Sequence, residues 1–168
     1  MDRGDSEDLI TMARGELGIK AGKSFPKKSA IMSLISKSRN MEVDLGALFE
    51  SESAHMSSFA DDIERIAVRY GEIKQRQCLF DYDDLLFKLD DLLTNEEHVR
   101  TGLNFRYKFV MVDEYQDTNL VQARLVKHLG GQGMNVMAVG DDAQSIYAFR
   151  GARIENILNF PKVFPGAK

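Results

Sequence analysis

Residues 109–117 read FVMVDEYQD, and residues 136–144 read VMAVGDDAQ. Each is a short apolar run that ends in acidic residues, which is typical of a strand buried on both faces. Between them, residues 120–129 place apolar side chains at helical spacing, and Gly130 follows as a helix stop. A strand, a helix and a second strand predict a βαβ unit, with parallel strands in an α/β sheet. Asp117 or Thr118 is the predicted cap of the intervening helix.

The chain upstream of residue 105 has helical patterns instead. Ser6 is the predicted cap of a first helix that ends at Gly18, and a second helix is predicted over residues 28–38. Residues 81–93 predict another amphipathic helix, and a short helix follows from residue 95 to about residue 101.

The clearest helical pattern spans residues 52–77, where apolar side chains recur every three or four positions. The side chains concerned are Met56, Phe59, Ile63, Ile66, Tyr70 and Ile73. That spacing keeps them on one face and predicts one seam of a long helix. Packing inside the chain's own helical bundle is our preferred interpretation, and a coiled-coil partner surface is the alternative.

Composition restricts the class of protein. The chain has 168 residues, 43% of them hydrophobic, which is enough for one compact domain or two small ones and excludes a wholly disordered tail. No run approaches the roughly 18 apolar residues of a membrane span. A single cysteine, Cys78, excludes a disulfide framework and a multi-cysteine zinc site. With an N-terminus too acidic for a secretory signal, these features predict a cytoplasmic protein without membrane association.

The net charge of −4 argues against a strongly basic nucleic-acid binder, but the charge is unevenly distributed. Residues 20–40 contain six cations and no acidic residue. Such a cluster can bind phosphates by releasing counterions, and Lys37 and Arg39 are our candidate DNA contacts within it. By itself, a charge run is more often a solvated surface.

The residues after the two predicted strands have the chemistry of a phosphate-transfer site. Asp113 and Glu114 follow the first strand directly, at the end where ligands of parallel sheets bind. One carboxylate there can hold Mg²⁺, and the second can orient and deprotonate a water molecule. Gln144 follows the second strand and can hydrogen-bond a terminal phosphate or the attacking water.

Aromatic residues alternate with a cation just after Gln144. Tyr147 and Phe149 precede Arg150, and aromatic faces stack on unpaired bases while arginine holds a phosphate. The alternative for these aromatic residues is simple core packing. Both interpretations remain open from the residues alone.

Residues 112–119 and 139–152 resemble motifs II and III of the UvrD/Rep/PcrA superfamily 1 DNA helicases. Residues 81–86, DYDDLL, resemble the DFDDLL segment upstream of motif II, and residues 35–40, ISKSRN, resemble a segment of the helical 1B subdomain. The resemblance covers essentially the whole chain. It implies a predominantly helical α/β fold, with a 1B-like subdomain over residues 1–104 and a partial RecA-like segment over residues 105–168.

The resemblance also implies an ATP-dependent DNA helicase that uses ATP and Mg²⁺ and acts on single-stranded DNA and duplex junctions, in DNA repair or replication. It assigns the metal ligand to Asp113, the catalytic base to Glu114, the γ-phosphate sensor to Gln144, and a link between the ATP and DNA sites to Gln116. Stacking on bases is assigned to Tyr147 and Phe149, with Arg150 beside them.

The chain departs from the family in one large respect. No G-x-x-x-x-G-K-[ST] motif occurs in the 168 residues, so no phosphate-binding P-loop is present. Ala143 also stands where many relatives carry Asp. We therefore expect an excised middle segment that is inactive alone and self-associates through unpaired strand edges.

Two other classes of function remain as alternatives. A metal-dependent nuclease would use acidic residues as paired metal ligands, and its candidates are Asp81, Asp83, Asp84, Asp113 and Glu114. A non-enzymatic interaction module would use the apolar seam of residues 56–73 as its partner surface.

Overall fold

A computed structural model describes residues 1–20, 22–51, 53–130, 135–144 and 151–167. The elements up to residue 106 are α1 (Arg3–Glu16), α2 (Lys28–Met41), α3 (Leu45–Ser51), a 3₁₀ segment (Ala54–Phe59), α4 (Ala60–Arg76), α5 (Tyr82–Asn95) and α6 (Glu97–Arg106). After them come β1 (Phe109–Val112), a 3₁₀ turn (Tyr115–Asp117), α7 (Leu120–Gly130), β2 (Asn135–Ala138), a 3₁₀ turn (Asp142–Gln144), α8 (Glu155–Leu158) and α9 (Phe160–Val163). The predicted class, a predominantly helical α/β fold, is confirmed. Among the described residues, none of these helices is both long and apolar enough to cross a membrane.

Contacts between residues group the chain into two units, Met1–Leu85 and Leu86–Lys168. The boundary between these units lies within α5. The sequence predicts a different division, after residue 104, between two subdomains of the helicase family. That division is not based on contacts between residues, and it stays a prediction.

The first helix begins earlier than predicted. Asp2 is its cap, because the Asp2 side chain accepts a hydrogen bond from Asp5 N at 2.9 Å and the Asp5 side chain accepts one from Asp2 N at 3.1 Å. This reciprocal pair is a capping box. Ser6 is buried and its hydroxyl donates to the Asp2 carbonyl, so the prediction that Ser6 caps the helix is wrong.

The apolar seam lies in the core of the first unit. Four of its side chains are fully buried, namely Ile63, Ile66, Tyr70 and Ile73. They pack against buried residues of α1 and α2, and the two remaining members of the seam are partly buried against the same core. Packing within the chain's own bundle is confirmed, and the seam is not available as the surface of an interaction module.

The long helix predicted from residue 52 begins later than expected. Residues Ala54–Phe59 form a 3₁₀ helix, and α4 begins only at Ala60. Ser57 Oγ donates to the Ala54 carbonyl at 2.7 Å. Such a local side-chain bond competes with α-helical bonding and favours the tighter winding seen here.

A buried ion cluster joins the end of α4 to the start of α5. Lys74 is 6% exposed, and its Nζ donates to Asp81 Oδ2 and to Asp84 Oδ2. Arg39 Nη1 donates to Asp84 Oδ1 at 2.8 Å, and the Tyr70 hydroxyl donates to Asp81 Oδ2 at 2.8 Å. We call Lys74, Asp81, Asp84 and Arg39 the buried ion cluster.

The same two carboxylates cap α5. Asp84 N donates to Asp81 Oδ1 at 2.8 Å, and Asp81 N donates to Asp84 Oδ2 at 3.0 Å. This capping box satisfies two backbone donors that the helix itself leaves without partners. The acidic segment DYDDLL is therefore structural at its first and fourth positions.

Stability is expected to depend on Asp84 below about pH 4. Burial raises the pKa of Asp84, but hydrogen bonds from Lys74, the Asp81 backbone and Arg39 outweigh it and lower the pKa from 3.8 to about 2. Because the folded pKa is depressed, this contribution to the free energy of unfolding is complete above the unfolded pKa and is lost as pH falls through the folded value. We expect the difference in unfolding free energy between wild type and Asp84→Asn to shrink from pH 4 to pH 2, measured by urea unfolding. A difference that does not vary over this range would contradict the assignment.

The second unit contains the predicted βαβ unit. Strands β1 and β2 pair in parallel, with Phe109 opposite Asn135 and Val112 opposite Ala138. Helix α7 connects the two strands and contacts β1. The prediction of parallel strands joined by a helix is confirmed.

The cap of α7 differs from the prediction. Asn119 Oδ1 accepts from Gln122 N at 2.9 Å, and Gln122 Oε1 accepts from Asn119 N at 3.0 Å. This is a capping box with Asn119 as the cap. The prediction of Asp117 or Thr118 is wrong, because Asp117 lies in the preceding 3₁₀ turn and the Thr118 hydroxyl donates to the Tyr115 carbonyl.

One face of the two-stranded sheet is exposed. Phe109, Met111 and Met137 are 68%, 75% and 56% exposed, while the alternate residues of both strands are half-buried. The prediction of strands buried on both faces is therefore wrong for this chain. Parallel sheets are normally covered on both faces, and the described residues cover only one.

Candidate functional site

The structure brings together the residues that follow the two strands. Tyr115 N donates to Val139 O at 2.9 Å, and Val139 N donates to Val112 O at 2.8 Å. These bonds continue the pairing of β1 and β2 past the ends of both strands. The acidic residues after β1 and the turn after β2 therefore meet at one edge of the sheet, where parallel sheets bind ligands.

Glu114 has an unusual backbone conformation. Its φ and ψ are 51° and 44°, in the left-handed region that non-glycine residues rarely adopt. Its N–H donates to Asp113 Oδ1 at 3.0 Å, and both residues are exposed. Such a conformation costs about 1–3 kcal/mol and is concentrated at functional sites, so it favours a functional role for this turn.

Four residues connect the two strand ends through hydrogen bonds. Gln116 Nε2 donates to Glu114 Oε2 at 2.7 Å, and Gln116 Oε1 accepts from Asp141 N at 3.0 Å. Gln144 Nε2 donates to Asp141 Oδ2 at 2.7 Å. We call the series Glu114, Gln116, Asp141 and Gln144 the strand-end relay. It connects the predicted base to the predicted phosphate sensor, through side chains and through the backbone N–H of Asp141.

Gln116 is the buried member of the relay, with 1% of its surface exposed. Both ends of its amide are paired, and each is used according to its chemistry: the NH₂ donates and the oxygen accepts. Glu114, Asp141 and Gln144 are exposed. The relay thus has a fixed centre and accessible ends.

Tyr115 anchors this turn to the second unit. It is 1% exposed, and its ring meets the Phe160 ring edge-on, with centroids 5.4 Å apart and planes at 82°. Burial raises the pKa of the Tyr115 phenol. The residue between the base and the buried glutamine is therefore structural, a role that the sequence analysis did not identify.

Asn156 of α8 supports the segment after the 3₁₀ turn. Its Nδ2 donates to Thr118 O at 2.9 Å and also contacts the Asn119 carbonyl at 3.3 Å. No local sequence pattern indicates this role of Asn156, because its partners lie 37 and 38 positions away.

A cavity of about 390 Å³ opens beside the same turn. Acidic and polar side chains line one part, including Asp113, Glu114 and Asp117, and apolar residues of β1 and α7 line another, including Leu125 and Val126. Asp117 Oδ1 is buried and accepts no hydrogen bond within the part of the chain that the structure describes.

The Asp113 carboxylate has the chemistry of a ligand for nucleotide-bound magnesium. No group of three or more His, Cys, Asp or Glu side chains among the described residues is arranged to hold a metal. In nucleotide sites, however, Mg²⁺ uses one or two carboxylates and completes its shell with water and phosphate oxygens. Asp113 offers an exposed carboxylate at the strand end, which is the hard oxygen ligand that Mg²⁺ prefers.

The acidic residues of α5 do not support a nuclease. Asp81 and Asp84 belong to the buried ion cluster, and Asp83 Oδ1 accepts from Asn40 Nδ2 at 2.9 Å. Asp81 and Asp84 are thus paired with cations, and Asp83 is held by a neutral amide, so the structure gives all three carboxylates structural partners.

The structure describes two of the five predicted DNA contacts. Arg39 is committed to the buried ion cluster, and Lys37 is half-buried on α2. Tyr147, Phe149 and Arg150 lie outside the described residues. Their stacking role stays a prediction.

Comparison with known proteins gives one consistent family. A family model described as the UvrD/REP helicase N-terminal domain matches residues 2–165. The chain is 39% identical to DNA helicase II of Salmonella typhimurium over 68% of its own length and 16% of that protein. It is 35% identical to ATP-dependent DNA helicase UvrD1 of Mycobacterium leprae, over 98% of the chain and 22% of that protein. It is 31% identical to ATP-dependent DNA helicase PcrA of Leuconostoc citreum, over 99% of the chain and 22% of that protein.

Proposed function

The chain belongs to the UvrD/REP helicase family, and from that premise we propose that it is a segment of an ATP-dependent DNA helicase. The protein would couple ATP hydrolysis to movement along single-stranded DNA. The observation that carries this proposal is the strand-end relay, because it joins a candidate base to a candidate phosphate sensor across two paired strands. The chain spans about a fifth of the length of its relatives, 16% to 22%, which supports the view that the complete activity needs further domains.

Each described site residue has a role in this proposal. Asp113 would hold Mg²⁺, and the ion would supply positive charge beside the phosphates. Glu114 orients the attacking water and accepts its proton, and Gln144 senses the γ-phosphate. Gln116 links these groups. Its hydrogen bonds to Glu114 and to Asp141 N make it sensitive to a shift in either strand end.

The DNA-binding part of the proposal follows from the sequence. Tyr147 and Phe149 stack on bases of single-stranded DNA or of duplex junctions, Arg150 holds a phosphate, and Lys37 contributes positive charge. Arg39, the other cation predicted from the sequence, is paired with Asp84 and would reach DNA only if that pair opened. Gln144 and Tyr147 are three residues apart, so movement of the sensor would displace the stacking residues.

The proposal also includes the cellular process, the compartment and the subdomains of the protein. We place the protein in DNA repair or replication, in the cytoplasm, and assign residues 1–104 to a 1B-like subdomain and residues 105–168 to a RecA-like segment. Self-association of the isolated chain is part of the proposal, supported by the exposed apolar face of the sheet.

A comparison of the full-length protein with the 168-residue chain tests the proposed function. We expect ATP hydrolysis by the full-length protein to depend on Mg²⁺ and to be stimulated by single-stranded DNA, measured by phosphate release. We expect no turnover by the isolated chain, because four relay residues cannot replace a phosphate-binding P-loop. A full-length protein that hydrolyses no ATP with DNA present would exclude the proposal. Turnover by the isolated chain, lost on Glu114→Gln, would exclude its inactivity.

A further inference from the structure

We infer that Gly140 is a positioning residue, whose missing side chain leaves room for the Gln116 amide between the two strand ends. The inference rests on the proposed function, since its kinetic consequence appears in ATP hydrolysis. A Cβ atom at position 140 would lie 2.5 Å from Gln116 Oε1 and 3.3 Å from Gln116 N. It would also lie 2.8 Å from Ile157 Cδ1.

The requirement for glycine is steric and does not come from the backbone conformation. The described glycines with positive φ are Gly18, Gly151 and Gly166, and Gly140 is not among them. An alanine backbone is therefore tolerated at position 140, and only the added methyl group matters. The Ile157 contact involves the end of a flexible side chain, which can move aside.

Gln116 cannot move aside without losing its function. Its amide is buried and holds two partners at once, Glu114 through Nε2 and Asp141 N through Oε1. A methyl group at position 140 pushes on Oε1, the atom that accepts from Asp141 N. Displacement of the amide therefore breaks the bond to Asp141 N, and rotation of the amide turns its donor away from Glu114.

Gly140 therefore acts through Gln116 on both ends of the relay. The Glu114 carboxylate loses the donor that orients it, and Asp141, which holds Gln144, loses its bond to the centre. If glycine were needed at position 140 only for packing, a substitution there would change stability alone. Gly140 instead sets the geometry of the base and of the phosphate sensor together.

The test uses Gly140→Ala in the full-length protein. We expect kcat for DNA-stimulated ATP hydrolysis to fall about 10- to 100-fold, because a misplacement of about 1 Å has effects of that size. We expect KM for ATP to change little, since neither Gly140 nor Gln116 contacts the nucleotide in the proposal. Gly102→Ala in α6 is the matched control, because a Cβ there meets nothing within 4 Å, and it should keep the wild-type kcat.

A double-mutant cycle shows whether Gly140 acts through Gln116. We expect Gln116→Met to lower kcat similarly, and the double variant to be no slower than the slower single variant. If Gly140→Ala proves unstable, Gln116→Ala should restore its melting temperature by making room for the methyl group. Multiplied kcat defects, an unchanged kcat for Gly140→Ala, or no rescue of an unstable Gly140→Ala would each overturn the inference.

ATP hydrolysis by the wild-type protein tests the proposed function, and the structure of the Gly140→Ala variant tests the role of Gly140 separately. If the wild-type protein hydrolyses no ATP, the proposed function fails, and a crystal structure of the full-length Gly140→Ala variant decides the inference. A Gln116 amide that keeps both of its hydrogen bonds in that structure overturns it. A displaced amide supports it.

Discussion

Full-length protein carrying Glu114→Gln is expected to hydrolyse ATP about 10²- to 10⁴-fold more slowly than wild type, the usual contribution of a general base. The amide that replaces the carboxylate cannot accept a proton from the attacking water. Its oxygen can still accept the Gln116 hydrogen bond, so the strand-end relay keeps its shape. The expected defect is therefore in kcat, measured by phosphate release at saturating DNA.

The control for this variant is Glu155→Gln, in the first turn of α8. Glu155 is exposed like Glu114, and the substitution removes the same charge from the same unit. We expect Glu155→Gln to keep the wild-type rate and Glu114→Gln to keep the wild-type KM for ATP. A Glu114→Gln protein that retains more than a tenth of the wild-type kcat would remove Glu114 from the role of base.

The sequence predicted the parts of this fold that depend on local patterns. The apolar runs around Val110 and Val136 and the helical spacing between them were sufficient for the parallel βαβ unit, since few other connections suit such a pattern. The seam of α4 was equally clear, because its period of three and four places Ile63, Ile66 and Tyr70 on one face. Caps were less predictable. Asp2 and Asn119 cap their helices in place of Ser6 and Thr118, because each has a partner three residues later that completes a capping box.

The residues of the candidate site could be proposed from the sequence, but their geometry could not. Asp113, Glu114 and Gln144 follow from their position after the strands. The left-handed backbone of Glu114 and the double hydrogen bond of Gln116 do not, because each depends on contacts across the two strand ends. The same is true of Asp81 and Asp84. The sequence named them only as metal ligands of an alternative nuclease, and the packing of α4 against the start of α5 shows that Lys74 pairs with both.

The buried ion cluster predicts the largest change in stability. Lys74→Met is expected to lower the free energy of unfolding by about 3–5 kcal/mol, the usual effect of removing one partner from a buried ion pair. Methionine nearly matches the volume of the lysine stem, so the loss comes from the charge. Asp81 and Asp84 would stay buried with Arg39 as their remaining cationic partner among the described residues, and Arg39 is half-buried at the edge of the cluster. Urea unfolding of the 168-residue chain measures the change.

The matched control is Lys28→Met on α2. Lys28 pairs with Asp8 at 2.6 Å, but both side chains are largely exposed, and solvent screens such pairs strongly. We therefore expect a midpoint of unfolding close to that of wild type. Equal effects of Lys28→Met and Lys74→Met would show that the buried ion cluster has no special role.

A second substitution separates the loss of a charge from the loss of a contact. Adding Asp84→Asn to Lys74→Met removes one of the two carboxylates that would then share the single charge of Arg39, while the asparagine oxygen can still accept from Asp81 N. The double variant should therefore be more stable than Lys74→Met alone, although it carries one more substitution. Such a recovery is expected only if buried charge causes the loss, because lost packing would accumulate with each change. A double variant less stable than Lys74→Met would mean that the Asp84 carboxylate still stabilises the fold through Arg39 and Asp81 N, and that uncompensated buried charge is not the cause of the loss.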